Sequence, residues 1–158
     1  RRHTPFSMIE ILADCGLPVK VYGLGARESI GQLSFQPIDE HQFVEDLANC
    51  RAVISAAGNQ LIGEALHLGK PIFVLPERAH GEQSTNSFFL RNMACGDFEY
   101  LENVTLDQVK SFLENLEQYC VPLKKVVGQM DGTAAVLKII QRWMSRQEDS
   151  RSSKNHRH

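Results

Sequence analysis

The sequence predicts an α/β fold, a three-layer α/β/α domain with a mostly parallel sheet. Strands alternate with helices along the chain, which is the pattern of sheets built from crossover connections. Residues 52–56 (AVISA) and 71–75 (PIFVL) are continuously apolar, as expected for strands covered on both faces. The chain has 158 residues, 42% hydrophobic and 23% charged, which is the size and composition of one globular domain.

The first half of the chain is expected to begin at a helix rather than at a strand. Thr4 and Pro5 suit the N-cap and first position of a helix, and an apolar stripe follows until Gly16. The elements expected after it are strands at 17–22 and 33–37 and a short helix at 41–48. Because a parallel sheet usually begins with a strand, we expect the first strand to lie upstream of Arg1.

The second half is expected to contain two strand–helix units followed by further helices. These elements are a strand at 52–56, a helix at 58–68, a strand at 71–75, a helix at 82–94, an edge strand at 98–101, a helix starting at Thr105 and a helix at 133–144. Residues 145–158 contain no apolar residue, so we expect a disordered tail there. The chain is therefore divided into a Rossmann-like domain at 1–144 and a polar tail at 145–158.

Charge, hydropathy and cysteine spacing exclude several classes of protein. A net charge of −2 gives no general attraction to nucleic acid. No apolar run approaches the roughly 20 residues that span a bilayer, and the N-terminus lacks the apolar segment of a secretory signal. The four cysteines form no CxxC pair, and the histidines are not at metal-ligand spacing. We expect a cytoplasmic protein with reduced cysteines, no metal site and no nucleic acid partner.

The end of the first apolar strand has features of a nucleotide site. Gly58 follows two alanines and opens a helix, whose free N–H groups and partial positive charge suit a diphosphate. Asn59 and Gln60 begin this helix, and Glu64 lies one turn beyond Gln60, where its carboxylate could accept hydrogen bonds from ribose hydroxyls. The alternative is a helix start whose small residues serve packing and whose glutamate is solvated. The spacing alone leaves both interpretations open.

The end of the second apolar strand is also polar. A loop follows Pro76, and Glu82 and Gln83 stand at the start of the next helix, where they could bind sugar hydroxyls. His80 lies in this loop and is expected to overhang the same site. The alternative is that acidic residues at this point only favour the helix dipole. Both interpretations stay open here as well.

The two segments together resemble a known family. The string AGNQLIGEALHLGKPIFVLP, followed by EQSTN, is similar to the C-terminal domain of GT-B glycosyltransferases. It most resembles glycosyltransferase family 28 and the N-acetylglucosaminyltransferase of lipid II synthesis. The resemblance is strong over 38–96 and consistent in element order over 4–144. It implies the donor-binding half of a GT-B enzyme.

The resemblance assigns roles to individual positions. It implies that Glu64 holds the ribose, that residues 58–60 lie beside the diphosphate and that Glu82 and Gln83 contact the donor sugar. Backbone groups of Ile38 would pair with the uracil edge. Two departures concern the ligand: Ala56-Ala57-Gly58 replaces a His-Gly-Gly or Ser-Gly motif, and Glu82 replaces a neutral amide. The general base of the family belongs to the N-terminal domain, so no catalytic residue is assigned here.

The activity implied by the resemblance is transfer of a hexosyl group from a UDP-sugar, with no metal or other cofactor. The acceptor would be held by an N-terminal domain of the same chain or of a partner chain, and this chain alone would be inactive. Peripheral membrane association of a full-length protein is compatible with this family. Two alternatives stay open: a nucleotide-sugar 2-epimerase, and a non-catalytic domain that binds a nucleotide sugar or docks a partner.

Overall fold

Strands and helices alternate along most of the chain, which confirms the predicted α/β fold. The computed structural model describes residues 6–129, 136–137 and 140–141. The strands are β1 Val19–Val21, β2 Arg27–Ile30, β3 Leu33–Phe35, β4 Val53–Ser55, β5 Ile72–Val74 and β6 Gly96–Phe98. The helices are α1 Phe6–Ala13, α2 Glu40–Asn49, α3 Asn59–His67, α4 Gly81–Asn92, α5 Leu106–Glu114 and α6 Cys120–Val126, with a 3-10 turn at Leu116–Tyr119 before α6.

The described strands form two three-stranded sheets that are mostly parallel. The first has the order β1-β3-β2, in which β1 and β3 are parallel and β2 runs antiparallel to β3. The second has the order β4-β5-β6 and is parallel throughout. Parallel strands place their carboxyl ends at one edge, where ligands of such sheets usually bind. The loops after β4 and β5 therefore lie at the same edge of their sheet.

The hydrophobic core surrounds β5, whose three residues are all buried. Leu90 of α4 and Val109 of α5 are almost fully buried in the same core, and Phe73 packs against Phe112 with 5.2 Å between ring centroids. Among the helices, α1 packs against α5, and α3 packs against α4 and α6. A central apolar strand packed with helices is what the continuous apolar run at 71–75 predicts.

Helix ends follow the expected capping chemistry. Asp39 caps α2 by accepting a hydrogen bond from the Gln42 backbone N–H at 3.0 Å. Thr105 caps α5, and its side chain and that of Gln108 form a reciprocal capping box. The predicted helix start at Thr105 is thus confirmed. Caps of this kind stabilise a helix by about 1 kcal/mol.

Several predicted boundaries differ from the structure. The strands are shorter than expected, and the last one is Gly96–Phe98 rather than 98–101. The expectation that 52–56 is buried on both faces is wrong, because all three residues of β4 are half-exposed. Strand β2 and helix α6 were not predicted. Thr4 and Pro5, the tail at 145–158 and most of the helix expected at 133–144 lie outside the described residues.

Candidate functional site

The junction between β4 and α3 is built of small residues. Ala57 is completely buried, and Gly58 is the N-cap of α3. No side chain forms a capping hydrogen bond at this end of α3, so its first backbone N–H groups are not satisfied by a side-chain cap. Gly58 has φ −73° and ψ 131°, which other residues adopt equally well. The glycine is therefore not needed for its torsion angles, and what it contributes is open space beside the helix end.

Glu64 is held in place from one helical turn away. The Gln60 side-chain amide donates a hydrogen bond to Glu64 Oε1 at 3.0 Å. Asn59 and Gln60 are exposed at the helix start, while Glu64 is half-exposed. The structure thus brings the predicted diphosphate and ribose residues onto the first turns of one helix. A carboxylate oriented in this way can accept hydrogen bonds from two neighbouring hydroxyl groups.

The start of α4 uses its side chains partly for its own loop. Gln83 Oε1 accepts a hydrogen bond from the Glu77 backbone N–H at 2.9 Å, which holds the loop after β5 against the helix. Only the Gln83 amide nitrogen is then oriented to donate to a ligand. His80 is the N-cap residue of α4, and its Nε2 lies 3.4 Å from Glu77 Oε2. Glu82 is exposed in the first turn of the helix.

Asn86 joins the two strand ends, and sequence reasoning missed this role. Its side-chain amide donates to the Ala57 carbonyl at 3.1 Å, which connects α4 to the turn before α3. The two loops are therefore parts of one arrangement rather than independent surfaces. The only sequence signal was the presence of Asn86 in the EQSTN string, which carries no indication of its partner.

A small open pocket lies where β1 and β3 lead into α2. It has a volume of about 150 Å³ and is lined by Tyr22, Ile38, Asp39, Glu40 and Phe43. Ile38 is 83% exposed, so its backbone and side chain are accessible to a ligand. The rings of Tyr22 and Phe43 meet edge to face, with centroids 5.0 Å apart. A flat, weakly polar group fits such a surface.

Asp46 fixes the tyrosine of this pocket. It accepts hydrogen bonds from Tyr22 Oη at 2.5 Å and from Lys20 Nζ at 2.6 Å. These two donors lower the pKa of Asp46, Lys20 having the larger effect. Burial and the hydrogen bond to Asp46 raise the pKa of Tyr22 to about 12. Sequence reasoning assigned no role to Tyr22, Phe43 or Asp46 in the site.

The described residues contain no group of three His, Cys, Asp or Glu side chains arranged to hold a metal ion. The four cysteines are free thiols. No helix in the described part of the chain has the length and apolar character needed to cross a membrane.

A family model described as glycosyl transferase family 1 matches residues 2–117. The chain belongs to this family. The match covers β1 to α5 and both strand ends described above. The predicted glycosyltransferase resemblance is thus confirmed, whereas the narrower assignment to family 28 stays a prediction.

Relatives and solved structures agree with this assignment. An uncharacterized glycosyltransferase of Methanosarcina acetivorans is 28% identical over 110 residues, which cover 63% of this chain and 29% of the relative. The glycosyltransferase of kitacinnamycin has a TM-score of 0.71 at 15% identity, covering 88% of this chain and 39% of its own. Spinosyn forosaminyltransferase SpnP has a TM-score of 0.68 at 17% identity, with 88% and 38% covered.

These solved structures are GT-B glycosyltransferases, so the family 1 chain has the fold of part of a GT-B enzyme. The chain spans less than a third of the archaeal relative and about two fifths of the solved structures.

Proposed function

We propose that this chain is the donor-binding part of a glycosyltransferase that uses a nucleoside diphosphate sugar, with UDP as the nucleotide. The observation that carries the proposal is the β4–α3 junction. There, an uncapped helix start with open space at Gly58 precedes an oriented carboxylate, Glu64, by less than two helical turns. Backbone N–H donors for a phosphate and a carboxylate acceptor for hydroxyl groups, at this separation, suit a nucleotide better than a simple anion.

The diphosphate would lie against Gly58, Asn59 and Gln60. The exposed N–H groups at the start of α3 can donate to its oxygens, and the helix dipole favours negative charge there by about 0.3–1 kcal/mol. During transfer the bond between the sugar and the diphosphate breaks, and negative charge grows on the departing diphosphate. Donors already aimed at that charge lower the barrier without a metal ion.

The nucleoside would extend from α3 toward the pocket beside Ile38. Glu64 would accept hydrogen bonds from the ribose hydroxyls, and the exposed backbone of Ile38 would pair with the uracil edge. The pocket next to Ile38 is lined by Tyr22 and Phe43, whose rings give an apolar surface for a base. The pocket is small and open, and we assign uracil to it because the backbone of Ile38 would pair with the uracil edge.

The donor sugar would contact the start of α4. The Gln83 amide nitrogen can donate, Glu82 can accept, and His80 lies in the loop above them. Asn86 holds this helix against the β4–α3 turn, so the sugar and diphosphate parts of the site keep a constant separation. The acceptor and the general base would belong to the remainder of the enzyme, and the chain by itself would not transfer sugar.

One solved neighbour bears on the nucleotide. Glycosyltransferase VinC, with a TM-score of 0.63 and 12% identity, was crystallised with dTDP. A nucleoside diphosphate is therefore bound by a protein of this fold. The base remains the part of our proposal that needs a direct test, because dTDP and UDP differ only in a methyl group and a 2′-hydroxyl.

Calorimetric titration of the chain with UDP, UMP, GDP and dTDP in one buffer tests the proposal. We expect UDP to bind most tightly, UMP to bind more weakly because it lacks the β-phosphate, and GDP to bind least. Equal affinity for UMP and UDP would contradict the diphosphate assignment. The absence of binding by all four nucleotides would contradict the donor-binding function.

A second assay distinguishes transfer from epimerisation. The protein encoded by the complete gene is incubated with UDP-N-acetylglucosamine, and the products are separated by chromatography and analysed by mass spectrometry and NMR. Release of UDP that increases with an added acceptor supports a transferase. Conversion of the sugar to its 2-epimer would support the epimerase alternative instead.

A further inference from the structure

The segments that follow β5 and β6 stay side by side beyond the ends of these strands. The Glu99 N–H donates to the Val74 carbonyl at 3.3 Å, and the Leu101 N–H donates to the Pro76 carbonyl at 3.1 Å. The segment after β5 continues as the loop at 77–80, which leads into the start of α4. The segment after β6 is therefore a direct neighbour of this loop.

Arg78 joins the loop to the segment after β6. Its Nε lies 2.5 Å from Glu102 Oε1, and its guanidinium carbon stands over the Tyr100 ring, 4.3 Å from the ring centroid. An arginine can make both contacts at once because its planar guanidinium group stacks by its face and donates hydrogen bonds from its edge. The charge of Arg78 is thus already paired, although a cation beside a proposed diphosphate site could also bind phosphate.

The groups that contact Arg78 are themselves held in place. The Tyr100 carbonyl accepts a hydrogen bond from the Asn103 N–H at 2.8 Å, which closes a turn that contains Glu102. The Tyr100 ring meets the buried ring of Phe98 edge to face, with 6.0 Å between centroids. The ring and the carboxylate that contact Arg78 therefore belong to one ordered turn.

This turn is anchored on helix α5. Glu99 Oε2 accepts a hydrogen bond from Gln108 Nε2 at 2.8 Å, and Glu99 Oε1 accepts from the Tyr100 N–H at 2.7 Å. Gln108 also accepts from the Thr105 N–H at 2.9 Å as part of the capping box. Because Val109 of the same helix is completely buried, the turn rests on the core of the domain.

The loop is attached on its other side to α4. The Glu77 N–H donates to Gln83 Oε1 at 2.9 Å, and the His80 N–H donates to the Glu77 carbonyl at 3.0 Å. Without Arg78 the loop would keep these bonds but lose the side-chain contacts that join it to the turn after β6. The orientation of the loop relative to the core therefore depends on Arg78.

We propose that Arg78 is a positioning residue of the donor-sugar subsite. Arg78, Tyr100 and Glu102 form a clamp that holds the 77–80 loop, and through it the Gln83 amide, in the orientation that meets the sugar. This inference rests on the donor-binding function proposed above. It adds that Arg78 acts on the sugar through the loop and does not bind the diphosphate. The affinity for a nucleotide sugar relative to that for its nucleotide should therefore depend on the clamp.

Calorimetric titration with UDP and UDP-N-acetylglucosamine tests this role. We expect Arg78→Ala to lower the ratio of UDP-N-acetylglucosamine affinity to UDP affinity by roughly 3- to 10-fold, the combined size of an exposed ion pair and a cation–π contact. The affinity for UDP itself should change little. Arg51→Ala removes an exposed arginine before β4 and is the matched control, in which the ratio should stay the same.

Variants of the partners separate positioning from a general loss of structure. Tyr100→Phe keeps the aromatic ring and should keep the affinity ratio, whereas Tyr100→Leu should lower it. Arg78→Ala combined with Tyr100→Leu should lower the ratio no further than Arg78→Ala alone, because both changes remove the same contact. A purely structural defect would instead lower the melting temperature and weaken both ligands equally.

Hydrogen exchange measures the clamp without any ligand. The Glu77 and His80 amides, which hold the loop together, should exchange roughly threefold faster or more in Arg78→Ala. The Leu75 amide, which bonds to the Ser55 carbonyl within the sheet, is the internal control and should be unaffected.

Three results would overturn the inference while leaving the donor-binding function in place. Equal weakening of UDP and UDP-N-acetylglucosamine in Arg78→Ala would make Arg78 a ligand of the diphosphate. An unchanged affinity ratio would show that the clamp does not act on the sugar, and unchanged exchange at Glu77 and His80 would show that it does not hold the loop. If the unaltered chain bound neither ligand, the donor-binding function itself would fail and the role of Arg78 in it would fall too.

Discussion

Replacement of Glu64 by alanine tests the central contact of the proposed nucleotide site. Glu64 is half-exposed, and the Gln60 amide already holds its Oε1 at 3.0 Å. The variant would leave the ribose hydroxyls without their acceptor but would not disturb the core. A hydrogen bond to a charged group contributes about 1.5–3 kcal/mol when buried and less when exposed. For the ribose contact as a whole we expect a loss of about 1–3 kcal/mol, which weakens UDP binding roughly 5- to 150-fold.

Calorimetry with UDP and 2′-deoxy-UDP makes this prediction specific to the ribose. The unaltered chain should prefer UDP, because deoxy-UDP lacks one of the hydroxyl groups that would donate a hydrogen bond to Glu64. The Glu64→Ala variant should bind both nucleotides with nearly equal, weak affinity. Glu114→Ala, which removes an exposed carboxylate from α5, is the matched control and should bind UDP as the unaltered chain does.

Two outcomes would refute the reasoning. UDP affinity could be unchanged in Glu64→Ala, which would exclude the carboxylate from the site. Alternatively, affinity could fall while the preference for UDP over deoxy-UDP persists, which would show that Glu64 acts on another part of the ligand. The melting temperature of the variant, measured in parallel, should stay within a few degrees of the original because Glu64 contributes no core packing.

Three further predictions concern the surroundings of the site and the sheet. The pKa of Tyr22 is raised to about 12, above its value near 10 in an unfolded chain, so its contribution to the free energy of unfolding should disappear as the pH rises from about 10 to 12. In denaturant titration, Tyr22→Phe should therefore lose less stability over this pH range than the unaltered chain, and equal losses would count against the raised pKa. In Gly96→Ala the added Cβ would lie 2.1 Å from the Ile72 carbonyl oxygen, so urea unfolding should show a stability loss of about 1–3 kcal/mol or more. Gly63→Ala on α3, where a Cβ would meet nothing within 4 Å, should instead increase stability by about 0.5–1 kcal/mol. Similar effects at both positions would refute the packing argument. Asn86→Ala should reduce stability by about 0.5–1.5 kcal/mol and weaken UDP binding a few-fold because it releases the β4–α3 turn, and unchanged UDP affinity would show that this hydrogen bond does not position the site.

The order of elements could be predicted because it depends on local patterns. The apolar run at 71–75 predicts a buried strand, and all three residues of β5 are buried. Thr105 and Gln108 stand at capping-box spacing, and α5 begins where they indicate. Strand β2 has no apolar alternation and exists because β3 pairs with it. Nothing within its own four residues could have predicted it.

Packing decided which residues form the last strand, β6. Gly96, rather than a bulkier residue, faces the Ile72 carbonyl, and Arg91 bonds to Asp97 at 2.6 Å and stacks on Phe98. These contacts place β6 at Gly96–Phe98 instead of at 98–101. The apolar residues at 98 and 101 could not show whether the strand lies at 96–98 or at 98–101, because this depends on the space beside β5.

The sequence by itself determined which residues stand at the strand ends, because a strand, a turn and a helix start are each encoded within a few positions. Gly58, Gln60 and Glu64 are therefore found on one helix start, as predicted. Only the tertiary structure decided how these ends are joined. The bond from Asn86 to Ala57 spans 29 residues and that from Tyr22 to Asp46 spans 24. Contacts of this range depend on how the helices pack across the sheets, and a single sequence carries no local signal for that.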